Sequence, residues 1–176
     1  MSHPEFVISP MEPSDVPALQ ALIMRGIEED FGWSYNPDWH WDVDHLATVY
    51  TGTNMLLVAK VGDQVVGCGG IRMGAPLTID GYVEKDDPEV AQITRLSVLK
   101  EWRRHGIARA IVQELIEWAK AAPSVTHLYL HTHDTHDAAI PFWESTGARV
   151  IKDDRPHDPV WRTVHYLFDP ELITSQ

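Results

Sequence analysis

The sequence predicts an α/β domain with a mixed central β-sheet flanked by helices. Two observations carry this. Asn54–Val61 and Gln64–Arg72 are apolar, β-rich runs on either side of Gly62-Asp63, a strong hairpin signal. Val90–Leu99 is a further strand-like run that leads through a glycine-containing turn into a helix-spaced stretch, and then into Thr126–Thr132. Strand-turn-helix units beside hairpins call for a mixed sheet with helices against it.

Taken in order, Glu5–Met11 reads as the first strand. Ser14 or Asp15 can cap a helix that tolerates Pro17 in its first turn. Val16, Leu19, Leu22, Ile23 and Ile27 recur at helical spacing, and the helix fades by Gly32. Gly32–Asp44 scatters Trp33, Tyr35, Trp39 and Trp41 among polar residues and is too irregular for a strand. The hairpin follows, then a loop over Gly74–Asp87 and the strand Val90–Leu99. Ala108, Ile111, Leu115, Trp118, Ala119 and Ala122 form one face of the next helix. After Thr126–Thr132, Ala138–Ser145 reads as a short helix stopped by Gly147. Arg149–Lys152 and Arg162–Phe168 are the last strands, joined by the loop Asp153–Trp161.

A chain of 176 residues suits one domain, 1–176, with one sizeable core. No apolar run approaches the ~20 residues that span a bilayer. The start MSHPEFVISP lacks the charged and apolar regions of a secretory signal. The one cysteine, Cys68, excludes a disulfide framework and fits a reducing cytoplasm. It sits in an apolar run and reads as a small buried hydrophobe. The formal net charge of -12 argues against nucleic-acid binding, which needs Lys and Arg clusters, and suits a cationic substrate or simply solubility.

The sharpest local feature is Arg103-Arg104-His105-Gly106-Ile107-Ala108, which follows a strand and opens a helix. A helix start offers unpaired N–H groups and the positive end of the macrodipole. Gly106 lets backbone come close to an anion, and Arg103, Arg104 and Arg109 can add charge-assisted contacts. Together they suit a pyrophosphate. The string lacks both the P-loop order and GxGxxG.

Ile93–Ala122 resembles motif A of the GNAT acetyltransferase superfamily, R/Q-x-x-G-x-G/A after a strand ending in valine. Arg103, Gly106 and Ala108 fill the signature positions, and Leu96-Ser97-Val98 fills the strand end. Leu130-His131-Thr132, His136, Ala139–Glu144 and Gly147-Ala148 are similar to the family's second signature, with Phe142 among its aromatics. The two signatures cover Gln64–Arg149, and residues 24–54 fall outside them.

The resemblance implies a GNAT fold whose sheet splays open between the strands ending at Val98 and near Thr132. Acetyl-CoA would lie there, with Leu96, Ser97 and Val98 along the pantetheine. Amides of Arg103, Arg104, His105, Gly106, Ile107, Ala108 and Arg109 would hold the pyrophosphate, and His136 and Phe142 would touch the cofactor. Acetyl would pass to an amine by direct attack. His131 stands at the position where the ribosomal-protein N-acetyltransferase branch has a glutamate base, and an imidazole can do that work. The branch's tyrosine acid is replaced by Trp143, whose indole only donates a hydrogen bond. Tyr166, Tyr129 and Ser145 remain as candidate acids.

Arg95 can pair with an internal carboxylate or clamp a substrate carboxylate. Trp33 and Tyr35, among acidic residues, suit an organic ammonium. The expected acceptor is the primary amine of a small molecule: an amino acid, a conjugate or an amine antibiotic. Dimers are common in the family, so a homodimer is open. Two rivals stand beside this reading. One is a non-catalytic acyl-CoA-binding module. The other is a zinc hydrolase using His131, His133 and His136.

Overall fold

The computed structural model describes residues 5–135 and 137–173. The expected mixed sheet is present: seven strands in the order β1-β2-β3-β4-β5-β7-β6. They are β1 (Val7–Pro10), β2 (Met55–Val61), β3 (Gln64–Met73), β4 (Val90–Val98), β5 (His127–His133), β6 (Ala148–Asp153) and β7 (Thr163–Phe168). Helices α1 (Val16–Phe31), α2 (Pro37–Asp44), α3 (Leu46–Val49), α4 (Ile107–Ala121), α5 (Ala139–Glu144) and α6 (Pro170–Ile173) accompany it. The chain divides into two compact units, Met1–Arg72 with Thr94–Gln113, and Met73–Ile93 with Glu114–Gln176.

In the first unit, β2 and β3 pair antiparallel with Val61 opposite Gln64. The two-residue turn between them is Gly62-Asp63, with Gly62 at φ 56°, the primed geometry that matches strand twist. Helix α1 buries Leu19, Leu22, Ile23, Gly26 and Ile27, the stripe that the spacing predicts. Its start differs from expectation. A 3₁₀ turn, Pro13–Asp15, precedes it, and the Asp15 carboxylate accepts from the Glu12 N–H and pairs with Lys60 at 2.6 Å. Gly32 ends α1 at φ 67°, with its N–H donating to the Glu28 carbonyl.

The stretch read as irregular contains α2. Asn36 caps it by accepting from the Asp38 N–H at 2.9 Å, and Pro37 takes the first helical position. The apolar periodicity of a helix is missing from the sequence here, because α2 buries His40 and Asp42 beside Val43 while Trp39 and Trp41 stay half exposed. Leu19, Leu22, Ile23, Val43, Leu46, Tyr50, Leu56, Val58 and Cys68 share one core cluster.

In the second unit, β4 and β5 run parallel through Val90↔His127, Ala91↔Leu128 and Gln92↔Tyr129. β5 pairs antiparallel with β7 over Tyr129–His133, and β7 with β6. The segment read as a loop before β4 closes on itself through bridges at Ala75↔Lys85 and Ile79↔Val83. Its Ala75, Ile79 and Val83 pack with Val90, Tyr129 and Leu167. Helix α4 begins in the first unit, where it buries Ile107, Ile111 and Val112, and its residues from Glu114 on, in the second, bury Leu115, Ile116 and Ala119. Ala108, Trp118 and Ala122, placed on its core face by spacing, are only half-buried.

Candidate functional site

In the first unit, β4 ends at Val98, and a 3₁₀ turn, Lys100–Trp102, carries the chain to α4. Arg104 and Gly106 both have left-handed backbone, at φ 65° and 83°. For arginine that conformation is uncommon and costs energy that the surrounding turn must offset. The α4 ladder begins with the Ala110 N–H donating to the Gly106 carbonyl at 2.9 Å. The Ile107 and Ala108 amides therefore precede the ladder, at the positive end of the helix. A Cβ built on Gly106 would meet nothing within 4 Å, so the glycine borders open space. His105 Nδ1 lies 2.9 Å from the Arg103 carbonyl and 3.2 Å from the Trp102 carbonyl. Carbonyls only accept, so this nitrogen carries the proton.

The arginines of this turn divide. The Arg103 guanidinium donates to both oxygens of Asp30, at 2.9 and 2.8 Å, and to the Val98 carbonyl at 3.0 Å. The side chain expected on a phosphate is thus engaged with α1. Arg104 and Arg109 are exposed. Helix-start amides, open space at Gly106 and two exposed guanidinium groups form a donor set that fits a diphosphate. Leu96 and Ser97 are half-buried, and Val98 is buried.

Arg95 breaks β4 with φ 52°. Its Nε donates to Asp42 Oδ2 at 2.8 Å, and Nη2 donates to Asp42 Oδ1 at 2.5 Å and to the Trp39 carbonyl at 3.0 Å. Of the two roles open to Arg95, the pairing with an internal carboxylate is the one seen. Burial alone would raise the Asp42 pKa, but Arg95 outweighs it and holds the carboxyl below its usual value. The Tyr50 hydroxyl donates to Asp42 at 3.3 Å and lies 2.9 Å from Thr94 Oγ1. Burial and then the Asp42 charge raise its pKa, so it stays protonated. Trp33 stacks on Phe31 with ring centroids 5.0 Å apart. It lines a recess of about 510 Å³ with Tyr35, Met24, Arg25 and Glu28. The Tyr35 hydroxyl donates to Asp44.

The second unit holds a histidine cluster. Tyr129, His131 and His133 share one face of β5, as strand alternation predicts, and β7 sets His165 directly opposite His131. His165 Nε2 lies 3.1 Å from Asp154 Oδ2. Its Nδ1 lies 2.7 Å from the Tyr129 hydroxyl, which is 3.4 Å from His131 Nδ1. Gln92 Nε2 lies 3.4 Å from the same His131 nitrogen. His133 Nδ1 lies 2.9 Å from the Trp161 carbonyl and 3.2 Å from Thr163 Oγ1. Burial lowers the His165 pKa below the usual value, and Asp154 offsets only part of that. His133 is lowered for the same reason, with the Trp161 carbonyl opposing.

Among the described residues, no group of three or more His, Cys, Asp or Glu could hold a metal ion. His136, expected at the cofactor and in the rival zinc set, lies outside them. Phe142 is half-buried and meets Trp143 edge-on at 5.1 Å. Trp143 itself is 6% exposed, a core residue. Of the three candidate acids, Ser145 donates to the Phe142 carbonyl at 2.6 Å, and Tyr129 is held by His165. The buried Tyr166 hydroxyl has no hydrogen-bond partner among the described residues, and burial pushes its pKa up to about 12.

The model of the Acetyltransferase (GNAT) family matches residues 21–148. The chain belongs to this family. Membership implies acyl transfer as its class of chemistry. Solved structures agree on the GNAT fold. An acetyltransferase of the family from Staphylococcus aureus Mu50 superposes with a TM-score of 0.72 at 18% identity, covering 94% of this chain and 100% of its own. Arabidopsis thaliana NAA60, solved with a bisubstrate analogue, gives 0.68 at 17% identity, with 93% and 98% covered. The ribosomal-protein-S18-alanine N-acetyltransferase of Escherichia coli gives 0.66 at 17%, with 98% and 96% covered. No curated protein matches the sequence. Among the described residues, no helix is long and apolar enough to cross a membrane.

Within this GNAT chain, sequence reasoning missed His165, and it read Asp30, Asp42 and Asp154 only as acids on the acceptor side. All four act on residues it had named. Only pairing of distant segments puts them there, and neither spacing nor composition signals that.

Proposed function

We propose that the chain is a single GNAT domain that transfers an acetyl group from acetyl-CoA to the primary amine of a small molecule. An amino acid, an amino-acid conjugate or an amine antibiotic would be the acceptor. Acetyl-CoA supplies the activated thioester. The observation that carries the reading is the start of α4, where helix amides and exposed Arg104 and Arg109 border open space at Gly106. These groups hold the diphosphate, and the β4 end, Leu96–Val98, lines the pantetheine. Arg103 serves by fixing the turn through Asp30.

The attacking amine must be neutral, and His131 takes its proton. Tyr166 is buried and paired with Leu130, on the other strand face from His131, so the departing sulfur takes its proton from solvent or leaves unassisted. The recess lined by Trp33, Tyr35 and Glu28 offers aromatic faces and a carboxylate to a cationic acceptor. The net charge of -12 draws such molecules in.

Calorimetric titration with acetyl-CoA tests the cradle. Saturable binding is expected for the wild type and none for folded Gly106→Glu, which sets charge and bulk against the diphosphate. Equal affinity in the two proteins removes the cradle. Thiol release with an amine panel then separates an enzyme from a binding module, and His131→Ala should lower turnover and change its profile between pH 6 and 9. Binding without turnover on any amine would leave a cofactor-binding module.

A further inference from the structure

The polar groups beneath His131 form an ordered chain, and hydrogen-bonding rules fix its direction. Asp154 stands at one end. Its Oδ1 accepts from Lys152 at 3.1 Å and its Oδ2 faces His165 Nε2 at 3.1 Å. Burial alone would raise its pKa, but Lys152 and His165 outweigh that and keep it ionised. An ionised carboxylate only accepts, so His165 Nε2 carries a hydrogen. His165 is 3% exposed, and burial favours its neutral form. A neutral imidazole has one N–H, so Nδ1 of His165 presents a lone pair. The Tyr129 hydroxyl, 2.7 Å away, has a single hydrogen and gives it to that lone pair. Its oxygen then accepts from the neighbour on its other side, His131 Nδ1, at 3.4 Å.

We propose that Asp154, His165 and Tyr129 act as a directional relay that holds His131 in its Nδ1–H form, leaving Nε2 as the basic nitrogen. The proposal rests on the reading of His131 as the base. In it, the proton of the attacking amine passes to His131 Nε2, and the imidazolium so formed keeps its Nδ1–H on Tyr129. Gln92 Nε2 lies 3.4 Å from the same nitrogen and can only donate, so the relay requires the Gln92 amide to be turned, with its oxygen toward that N–H. Asp154, His165 and Tyr129 are positioning residues.

The relay also has a second state. When His165 gains a proton, its Nδ1 becomes a donor, the Tyr129 hydroxyl must turn, and its hydrogen points at His131 Nδ1. His131 is then driven to the Nε2–H form, in which its outer nitrogen cannot accept a proton. One protonation two links away thereby removes the base. Among the described residues, the charged and titratable groups facing this chain are Lys152 from β6, Asp154 just after it, and Tyr129, His131 and His133 from β5. Asp158, in the loop before β7, acts on His133.

Histidine-selective ¹⁵N NMR of the full chain reads the tautomer directly, with His131→Gln to assign its signals. The wild type above neutral pH should show His131 as the Nδ1–H form. Tyr129→Phe should lose that preference. Asp154→Ala, at a partly exposed position that tolerates truncation, should show both forms. His131 as Nε2–H in the wild type, or an unchanged tautomer in both variants, overturns the relay. These spectra need neither cofactor nor acceptor, so they stand apart from turnover. If His131→Ala keeps wild-type rates while the spectra behave as expected, the base reading fails, and with it the catalytic half of this proposal. If turnover depends on His131, its acid limb should be steeper than a single protonation in the wild type and reduce to one in Tyr129→Phe. An acid limb unchanged by Tyr129→Phe overturns the second state.

Discussion

The two units each hold a polar network of a different kind. In the first, full charges face each other: Arg95 with Asp42, and Arg103 with Asp30. In the second, beside the charge pairs of Asp134 with Arg155 and Arg162, His165, Tyr129 and His131 form a chain of imidazoles and a phenol with one carboxylate at its partly exposed end. Guanidinium–carboxylate pairs stay ionised across any ordinary pH and act as fixed struts. Imidazoles and a phenol can exchange roles as donor and acceptor, so the second arrangement can change state where the first cannot.

The sharpest way to break the comparison is Asp42→Ala. The Asp42 side chain is 2% exposed and that of Arg95 20%, so the variant strands a shielded cation. Removing one partner of such a pair costs about 3–5 kcal/mol, to be read from urea unfolding. Arg95→Met in the same background should recover much of that loss. If Asp42→Ala is as stable as the wild type, the first unit is not built on fixed charge. Asp30→Ala should cost less, about 1–2 kcal/mol, because its pair with Arg103 is 18% and 26% exposed and water can take over part of the contact.

The smallest effect is read against pH. His165 and His133, and in the first unit His40, bind protons less readily folded than unfolded. The unfolded chain therefore holds more protons just below the ordinary histidine pKa of about 6.5. Stability should be full above that value and decline as pH falls beneath it. His165→Gln should flatten the decline, measured as thermal midpoint against pH. A slope unchanged by that substitution would remove His165 as a source and leave His133 and His40.

How much of this was legible depends on sequence distance. The β2–β3 hairpin, the stripe of α1 and the start of α4 are local, and residues a few places apart specify them. Helix α2 was missed because its inward side chains are His40 and Asp42, whose burial makes sense only beside Arg95. The basic turn before α4 was readable as a string, but the contact of the Arg103 side chain with Asp30 was not. His131 was named, but its support was not. His165 reaches it through strand register, and Asp154 through the bend between β6 and β7. A carboxylate was expected near Arg95 on energetic grounds, and the fold supplied which one.

Cys68 has a consequence for following the molecule in motion. Its thiol is fully buried, donates to the Arg95 carbonyl at 3.3 Å, and is pushed up to about 12 by burial. As the chain's single sulfhydryl, it is shut off from alkylating reagents while the first unit stays closed. Each labelling event therefore timestamps an excursion of that core into solvent, with no engineered probe and no second thiol to confuse the count.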